Sequence, residues 1–270
     1  MSTNYPSALD SYTTKIDLVT DVMAADINNP QDAIIAIETE LGLDPRGSYT
    51  DVSARITDYA DRIANLEIGW VALPNGTRVS DTSFTLPGDY SGVLKNFAKW
   101  KGFLSSQKYG YVLSSSYSSG TGLTTVNLVP NTDYSLSSAG TITGSFFSFY
   151  DPTDFPAWLN WNPGSLAGFS TQPTGTYKYS ISNKTFFGFV AVNVDGISNA
   201  TNFSIPLPVA IPYSIIDSAM RFWNSGSAST TPGLLEGSGS NLNLYTTMSG
   251  GSWAATGYKA VRATFALPLV

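Results

Sequence analysis

Asp151 and Asp154, in the segment YDPTDFPAWLNW, are the residues whose type and spacing come nearest to those of an enzyme. Most glycosidases use two carboxyl groups roughly 5–10 Å apart, and Trp158 and Trp161 beside these acids could stack on a sugar ring. The same segment also fits a turn, in which Asp-Pro-Thr-Asp carries an Asx cap and the tryptophans pack in a core or a subunit contact. We favour the turn and predict no catalytic residue.

The composition removes most other catalytic chemistry. The 270 residues contain no histidine and no cysteine, so the commonest general base, the usual zinc ligands and thiolate nucleophiles are missing. A metal site would have to be all-oxygen, and the best segment, NVDGISNATN with Asp195, Asn199 and Asn202, lacks the acid density of an EF-hand. No Gly-Lys-Ser/Thr phosphate loop occurs. We therefore predict a protein that is not an enzyme and that uses no metal and no cofactor.

Glycan binding without catalysis requires less, namely exposed aromatic rings beside amide or hydroxyl groups. Trp223 in RFWNSG and Trp253 in GGSWAATGY lie beside small and polar residues, and Tyr245 and Tyr258 have similar neighbours. We take these four residues as candidate surface contacts for a glycan. The alternative is that each of them packs in the core of the β-structure or at a subunit axis.

The charged residues are distributed unevenly. Residues 1–69 hold 12 acidic and 4 basic side chains, whereas residues 70–270 hold 8 acidic and 10 basic ones, for a net charge of −6. The basic residues form no stripe, so we predict no nucleic-acid partner. The N-terminus lacks the pattern of a secretory signal, and no apolar run approaches the roughly 18 residues of a membrane span. We expect no membrane insertion.

Residues 17–69 have helical periodicity and are predicted to form a helical module. A first helix ends at Asn29-Pro30, where Asn29 also caps a second helix with Pro30 at its first position. The turn DPRGS follows, and Ser48 or Thr50 is the predicted cap of a third helix. The residues before this module, 1–16, are polar and are predicted to be an extended arm.

The third helix carries a heptad pattern. Its apolar residues are spaced by four, three, four and three. Ile56 and Ile63 then occupy a positions, and Val52, Tyr59 and Leu66 occupy d positions. Arg62 at g and Glu67 at the following e have the spacing of an interchain salt bridge in a parallel bundle. The alternative is a helix that lies on its own domain. The predicted interface of a short oligomeric bundle comprises Val52, Ile56, Tyr59, Ile63 and Leu66, with Arg62 and Glu67 at its edge.

From Gly69-Trp70 onward the period of the pattern changes to two. Apolar runs of strand length recur every 8–12 residues or so, separated by Gly, Pro, Asn and Asp. This is typical of β-sandwich or jelly-roll architecture, and we predict two such domains, at 70–168 and 169–270.

Three local signals refine the β-region. Asn75-Gly76 is a strong turn signal, and Asn183-Lys184 is the predicted turn of a hairpin. Alternating apolar residues near the C-terminus predict a last strand that is built into a sheet. These residues are Val261, Ala263, Phe265 and Leu267.

The segment NNPQDAIIAIETELGLDPRGSYTDVSARI, residues 28–56, resembles an N-terminal module common in virion proteins of tailed bacteriophages, such as tail-fibre and head-fibre proteins. The AIIAIETELG helix, the DPRGSY turn and the DVSARI helix start carry the resemblance. The segments TSFTLPGDYSGVL, KYGYVLSSSYSSGTGLTTVNLV and FPAWLNWNP are similar to the β-domain that often follows this module. The likeness covers residues 15–165, and the remainder only in general character.

The resemblance implies a homotrimer on the exterior of a virion, in which the bundle is a trimeric coiled coil. Residues 1–45 would attach to other virion proteins, and the β-domains would be presented to a host or surface. The expected partners are further copies of the chain and other virion proteins, with a host surface glycan or protein as a further candidate. Three alternatives stay open: a capsid-reinforcing decoration protein without a receptor, a polysaccharide depolymerase that acts through Asp151 and Asp154, and a cellular surface-layer or adhesin protein, which the missing secretory signal disfavours.

Overall fold

The structure is a computed structural model that describes residues 21, 23–41, 45, 47–67 and 69–269. The chain divides into two compact units, Met1–Ala64 and Asn65–Val270. The fold is mainly β, with 47% of the residues in strands and 11% in helices, so the predicted fold class is confirmed at this level. The predicted arm, residues 1–16, lies outside the described residues.

A single helix, α1 (Ala24–Leu41), replaces the two helices that were predicted on either side of Pro30. The prediction that Asn29 ends one helix and caps the next is therefore wrong. Proline holds φ near −65°, which a helix accepts, so α1 continues through Pro30 although one backbone hydrogen bond is lost there. Neither α1 nor the other helix of the described residues is long and apolar enough to cross a membrane.

The second helix, α2 (Val52–Glu67), begins directly after Asp51. Asp51 Oδ1 accepts the backbone N–H of Ala54 at 2.7 Å, which satisfies one of the free donors of the first turn. The prediction of Ser48 or Thr50 as the capping residue is therefore wrong. Asp51 lies three residues before the donor, which is the spacing of a capping bond, and its carboxylate also complements the helix dipole.

Within the described part of residues 65–270, the first sheet has seven antiparallel strands and closes into a barrel. The last strand of the sheet, Thr141–Ser148, pairs both with the strand Gly76–Ser80 and with the strand Lys99–Leu104, and this closes the ring. Phe84, Trp100, Val126 and Ile142 are among the side chains that fill the interior. The strands are β1 (Val71–Ala72), β2 (Gly76–Ser80), β3 (Ser83–Pro87), β4 (Lys99–Leu104), β5 (Ser106–Ser118), β6 (Leu123–Leu128) and β7 (Thr141–Ser148), and the ring runs β2–β3–β6–β5–β4–β7.

Asn75-Gly76 does not form the turn that was predicted from its sequence. Both β1 and β2 pair with β7, one after the other, so the chain between them continues instead of reversing. Gly76 is required there for a different reason, since a Cβ at this position would lie 2.9 Å from the carbonyl oxygen of Thr85. The glycine thus permits close approach of two backbones.

The second sheet is a half-barrel, and its strands lie between residues 159 and 268. One long strand, Ser204–Asn224, connects its two parts. It pairs with the strand Gly233–Tyr245 as far as Met220 and with the last strand, Lys259–Pro268, from Arg221 onward. Two further strands, β9 and β12, form a small separate sheet. In chain order, the strands of the half-barrel and of this small sheet are β8 (Leu159–Asn160), β9 (Phe169–Thr171), β10 (Gly175–Ser182), β11 (Thr185–Val192), β12 (Ile197–Ser198), β13 (Ser204–Asn224), β14 (Ser227–Ala228), β15 (Gly233–Tyr245) and β16 (Lys259–Pro268).

Two local predictions for this sheet are confirmed. The turn Asn183-Lys184 joins β10 to β11, with Ser182 paired to Thr185 and both turn residues at positive φ. The last strand, β16, pairs with β11 and β13, and its alternating apolar residues are buried. Those residues are Val261, Ala263, Phe265 and Leu267.

The two sheets share buried side chains. Tyr111 of β5 and Val129, just after β6, belong to the core that the second sheet builds. The ring of Tyr111 lies 6.0 Å from that of Tyr179 on β10, measured between centroids. The predicted boundary near residue 168 falls between β8 and β9, and the division into two β-domains stays a prediction.

Candidate functional site

Helix α2 presents an apolar stripe on its surface. Ile56, Tyr59 and Ile63 are 62%, 41% and 57% exposed, although they occupy consecutive a, d and a positions of the heptad pattern. Val52, at the preceding d position, is half-buried. Apolar side chains that recur on one helix face normally lie against another element, so this stripe is a candidate contact surface.

The turn before α2 is held against the helix by polar contacts. The Tyr49 hydroxyl donates to Asp58 Oδ2 at 2.7 Å, and the Arg55 guanidinium donates to the Pro45 carbonyl at 2.9 Å. The rings of Tyr49 and Tyr59 meet edge to face. The hydrogen bond raises the pKa of Tyr49 above its ordinary value, because ionisation would place two negative charges together. These contacts fix one side of Tyr59 and leave the stripe accessible.

The remaining members of the predicted interface are only partly described. The side chains of Leu66 and Glu67 lie outside the described residues, so the predicted interchain salt bridge stays a prediction. Arg62 lies 3.8 Å from Asp58 Oδ2, four residues earlier, and both side chains are well exposed. An exposed ion pair of this length contributes little to stability, so Arg62 can exchange it for another partner.

Helix α1 has a wide exposed apolar face. Residues 1–45 were predicted to dock on other virion proteins, and α1 is the main described part of that segment. Four of the five exposed apolar residues lie on one face of α1, and Ile35 lies roughly 80° around the helix from the nearest of them, so the apolar face is wider than that of a typical surface helix. The exposed residues are Ile27, Ile34, Ile35, Ile37 and Leu41.

Of the candidate glycan contacts, Tyr245 and Trp253 line one cavity of about 250 Å³. The Trp253 ring is only 2% exposed, and its Nε1 donates to the Leu244 carbonyl at 2.6 Å, so it is a core residue with no free face for a sugar. The Tyr245 hydroxyl donates to Glu236 Oε2 at 3.0 Å. Partial burial and this carboxylate raise the pKa of Tyr245. Of the two aromatic residues, Tyr245 is therefore the one that solvent can reach in the cavity.

Trp223 and Tyr258 lie elsewhere on the second sheet. Trp223 is half-buried and lines a shallow depression of about 330 Å³ together with Arg262, and the Arg221 guanidinium lies 5.0 Å from its ring centroid. Tyr258 is exposed, and its carbonyl accepts the N–H of Gly226. Neither residue lines the cavity that holds Tyr245 and Trp253. The four candidates do not form one site.

Asp151 and Asp154 are each paired with a lysine of β4. Lys99 Nζ lies 2.7 Å from Asp151 Oδ1, and Lys101 Nζ lies 2.8 Å from Asp154 Oδ2. The other oxygen of Asp154 accepts Nε1 of the buried Trp70 at 2.6 Å. Asp154 thus connects the segment before β1 with β4.

The pKa of Asp154 fits a structural role better than the role of a catalytic acid. Partial burial would raise the pKa of its carboxyl, but the hydrogen bonds from Lys101 and Trp70 and the lysine charge outweigh it, so the pKa is lowered. A glycosidase acid needs a raised pKa in order to hold its proton near neutral pH. Trp161, which was considered for sugar stacking, is buried and donates Nε1 to the Pro206 carbonyl at 3.1 Å.

The residues considered for a metal site make hydrogen bonds to neighbouring segments of the chain. The Asp195 carboxylate accepts the backbone N–H of Thr174 at 2.9 Å and also its hydroxyl, and these bonds lower the pKa of Asp195. The N–H of Asn199 donates to the Gly168 carbonyl, and the carbonyl of Asn202 accepts from Lys259 Nζ. In the part of the chain that the structure describes, no group of three or more acidic side chains could hold a metal ion.

Sequence reasoning missed Lys99 and Lys101. Their spacing in KWKGFL places both on one face of a strand, which is a visible signal. No local pattern, however, connects Lys101 with Asp154, which lies 53 residues further along the chain. Only the pairing of β4 with β7 brings the segments together.

Comparison with protein-family models, curated proteins and solved structures finds no match for this chain. Among the features of the described residues, the stripe on α2 requires explanation most, because three large side chains at heptad positions are exposed to water.

Proposed function

We propose that the chain is a self-associating structural subunit of a tailed-phage virion, a trimeric fibre or decoration component. In this proposal the helical unit (Met1–Ala64) attaches to the particle and joins three copies, and the β-unit (Asn65–Val270) is presented to a host or surface. The exposed stripe Ile56–Tyr59–Ile63 is the observation that carries the proposal. It supports a short coiled coil, in which each copy would bury the stripe of its neighbours.

The trimer and the virion come from the resemblance of residues 28–56, and a physical reason favours several copies. Surface contacts that are weak individually become effective when three subunits present them together. A subunit that works through avidity needs no deep active site, which is consistent with ion-paired Asp151 and Asp154. The jelly-roll-like arrangement of the β-unit stays a prediction.

Ile56→Asp tests self-association. In the proposed bundle this change places a carboxylate among apolar side chains, and the cost of burying it should weaken association at least about a hundredfold, or roughly 3 kcal/mol. We expect the purified wild-type chain to sediment as a trimer at micromolar concentration and the variant to sediment mainly as a monomer. Analytical ultracentrifugation over a concentration series measures both.

Thr57→Asp is the matched control. Thr57 is the next residue of the same helix and is exposed, but it lies at a b position outside the stripe. It adds the same charge to α2 and should leave the trimer intact. A wild-type chain that stays monomeric at micromolar concentration, or equal effects of the two substitutions, would refute the proposal.

A receptor function within the same proposal can be separated from capsid reinforcement alone. The soluble trimer is mixed with host cells and the bound fraction is measured by sedimentation of the cells. Saturable binding supports a surface-binding component. If no binding occurs with an intact trimer, the capsid-reinforcing decoration protein becomes the better proposal.

A further inference from the structure

A cavity of about 340 Å³ lies in the β-unit where three segments converge. The segments are the stretch that leads into the first residue of β4 (95–99), the loop after β7 (149–151) and the end of β10 with its turn to β11 (181–184). This volume is at the lower end of the range of roughly 300–1,000 Å³ for ligand pockets and is sufficient for a small saccharide. We call it the lysine cleft.

The lysine cleft is positively charged in a protein that is negative overall. Lys95, Lys99 and Lys184 line it, and Asp151 is the acid among its lining residues. Lys95 and Lys184 are exposed, whereas Lys99 is buried and pairs with Asp151 at 2.7 Å. Two exposed ammonium groups therefore face solvent here, which is complementary to an anionic ligand.

Two aromatic side chains also line the lysine cleft. Phe149 and Tyr150 are 56% and 77% exposed, so their rings are largely in contact with water. Consecutive exposed aromatic residues lose unfavourable hydration when an apolar face covers them. Sugar rings have such a face, and their hydroxyl and acidic groups remain free for polar partners.

The backbone around the lysine cleft is held in uncommon conformations. Phe97, Asn183 and Lys184 all have positive φ, at 68°, 47° and 56°. Positive φ is unfavourable for a bulky residue such as Phe97, and such strain is concentrated at functional sites. Phe97 is kept in place by its N–H, which donates to the Val112 carbonyl at 2.6 Å. At Asn183 and Lys184 positive φ is what the two-residue hairpin turn requires, so the backbone strain at the cleft lies at Phe97.

We propose that the lysine cleft binds an acidic saccharide, whose anionic group pairs with Lys95 and Lys184 and whose ring packs on Phe149 or Tyr150. The inference rests on the proposed function in one respect, namely that the β-unit is the part that meets a surface. It places the glycan contact away from Trp223, Tyr245, Trp253 and Tyr258. None of those four residues lines the cleft.

Isothermal titration calorimetry of the full chain tests the proposal with three probes. Hyaluronan tetrasaccharide carries glucuronates, chitotetraose is a neutral chain of the same length, and inorganic phosphate is an anion without a ring. We expect the acidic tetrasaccharide to bind with a sub-millimolar Kd at low salt and chitotetraose to bind at least about tenfold more weakly. Binding should weaken several-fold between about 0.02 M and about 0.15 M salt, because exposed charges are screened.

Substitutions assign the binding to the lysine cleft. Lys95→Gln with Lys184→Gln should weaken binding of the acidic tetrasaccharide about tenfold or more, and Tyr150→Ser should weaken it several-fold. The matched controls are Lys108→Gln and Tyr213→Ser, which remove a lysine and an exposed tyrosine outside the cleft. Both should bind as the wild type does.

Several outcomes would overturn the proposal. These are no binding of the acidic tetrasaccharide at millimolar concentration, equal binding of chitotetraose, or equal losses in the control variants. Phosphate binding as tight as that of the tetrasaccharide, with no effect of Tyr150→Ser, would reduce the cleft to a simple anion site. Ultracentrifugation of the same samples separates the two proposals, since an intact trimer without binding refutes only the cleft, and a monomer that binds refutes only self-association.

Discussion

Lys259 is a fully buried cation whose hydrogen bonds all go to backbone carbonyls. Its Nζ donates to Ala200 at 2.5 Å, to Asn202 at 2.8 Å and to Gly168 at 3.4 Å. Burial lowers the pKa of Lys259 from its ordinary value of 10.5 to about 8, because neutral carbonyls replace water only in part. The lysine thus ties three backbone segments together at a cost that depends on pH.

We predict that the contribution of Lys259 to the stability of the β-unit increases as pH rises from about 8 to 10. In this window Lys259 is increasingly neutral in the folded state and still charged when unfolded, so unfolding takes up a proton and its free energy increases with pH. The lowered pKa corresponds to a gain on the order of 2–3 kcal/mol by pH 10. Urea denaturation at intervals between pH 7 and 10 measures the gain.

Lys259→Met removes the titrating group, so the difference in unfolding free energy between wild type and variant should change with pH over this window. Lys108→Met, at a partly exposed lysine, should keep the wild-type rise. A difference between wild type and Lys259→Met that does not vary with pH would contradict the assignment. Tyrosines with a raised pKa, such as Tyr177 at about 12, lower the stability of the folded state as pH approaches and passes 10. This loss is common to the wild type and the variant, so it cancels in the difference.

Among the elements, β4 depends on a polar contact at its outer face. Asp154 accepts from both Lys101 and the Trp70 indole, so one carboxylate joins β4 to the start of β1. Asp151 makes the comparable pair with Lys99, but its own side chain is 75% exposed, against 36% for Asp154. Removal of Asp154 would leave both Lys101 and the Trp70 indole without this acceptor, whereas removal of Asp151 would leave only Lys99.

We expect Asp154→Ala to lower the free energy of unfolding by about 2–3 kcal/mol, because the buried Trp70 Nε1 and Lys101 lose their acceptor. Asp151→Ala should cost less than Asp154→Ala, because it leaves one buried group, the Lys99 ammonium, without its acceptor, whereas Asp154→Ala leaves two. Urea denaturation of the two variants compares them directly. Equal, small effects would show that the Asp154 contact does not hold β4.

The sequence correctly predicted those elements that are determined by residues close together in the chain. The alternation in β16 and the Asn183-Lys184 turn depend on neighbouring residues, and both are found in the structure. Pro30 misled the prediction because proline can end a helix or be accommodated inside it, and only the surrounding contacts decide. The capping residue was placed a few positions early for a similar reason, since Ser48, Thr50 and Asp51 are all good caps.

Long-range contacts were beyond the reach of such patterns. The barrel closes because β7 pairs with both β2 and β4, and nothing in the composition of these strands specifies that partner. The lysine cleft likewise collects residues from three segments that are distant in sequence. The candidate interface on α2 could be predicted because a heptad repeat is local, whereas the ion pairs of Asp151 and Asp154 could not.

The whole β-unit should unfold as one body. Tyr111, from the barrel sheet, is buried against Phe155 and Tyr179, and its hydroxyl lies 3.3 Å from Ser180 Oγ on β10. A core that takes side chains from both sheets loses its packing when either sheet opens. We predict a single transition for both sheets, with coincident loss of hydrogen-exchange protection in β4–β6 and β10–β11. Two separate transitions would instead support independent domains at 70–168 and 169–270.

The closed ring of the first sheet also affects how neighbouring copies can meet. An open sheet leaves backbone N–H and C=O groups along its outermost strand, and these can template the addition of strands from another molecule. In the ring β2–β3–β6–β5–β4–β7 every strand has a partner on each side. If the helices join copies as proposed, contacts at the ring would be made through side chains, because the ring offers no free strand edge for the addition of strands.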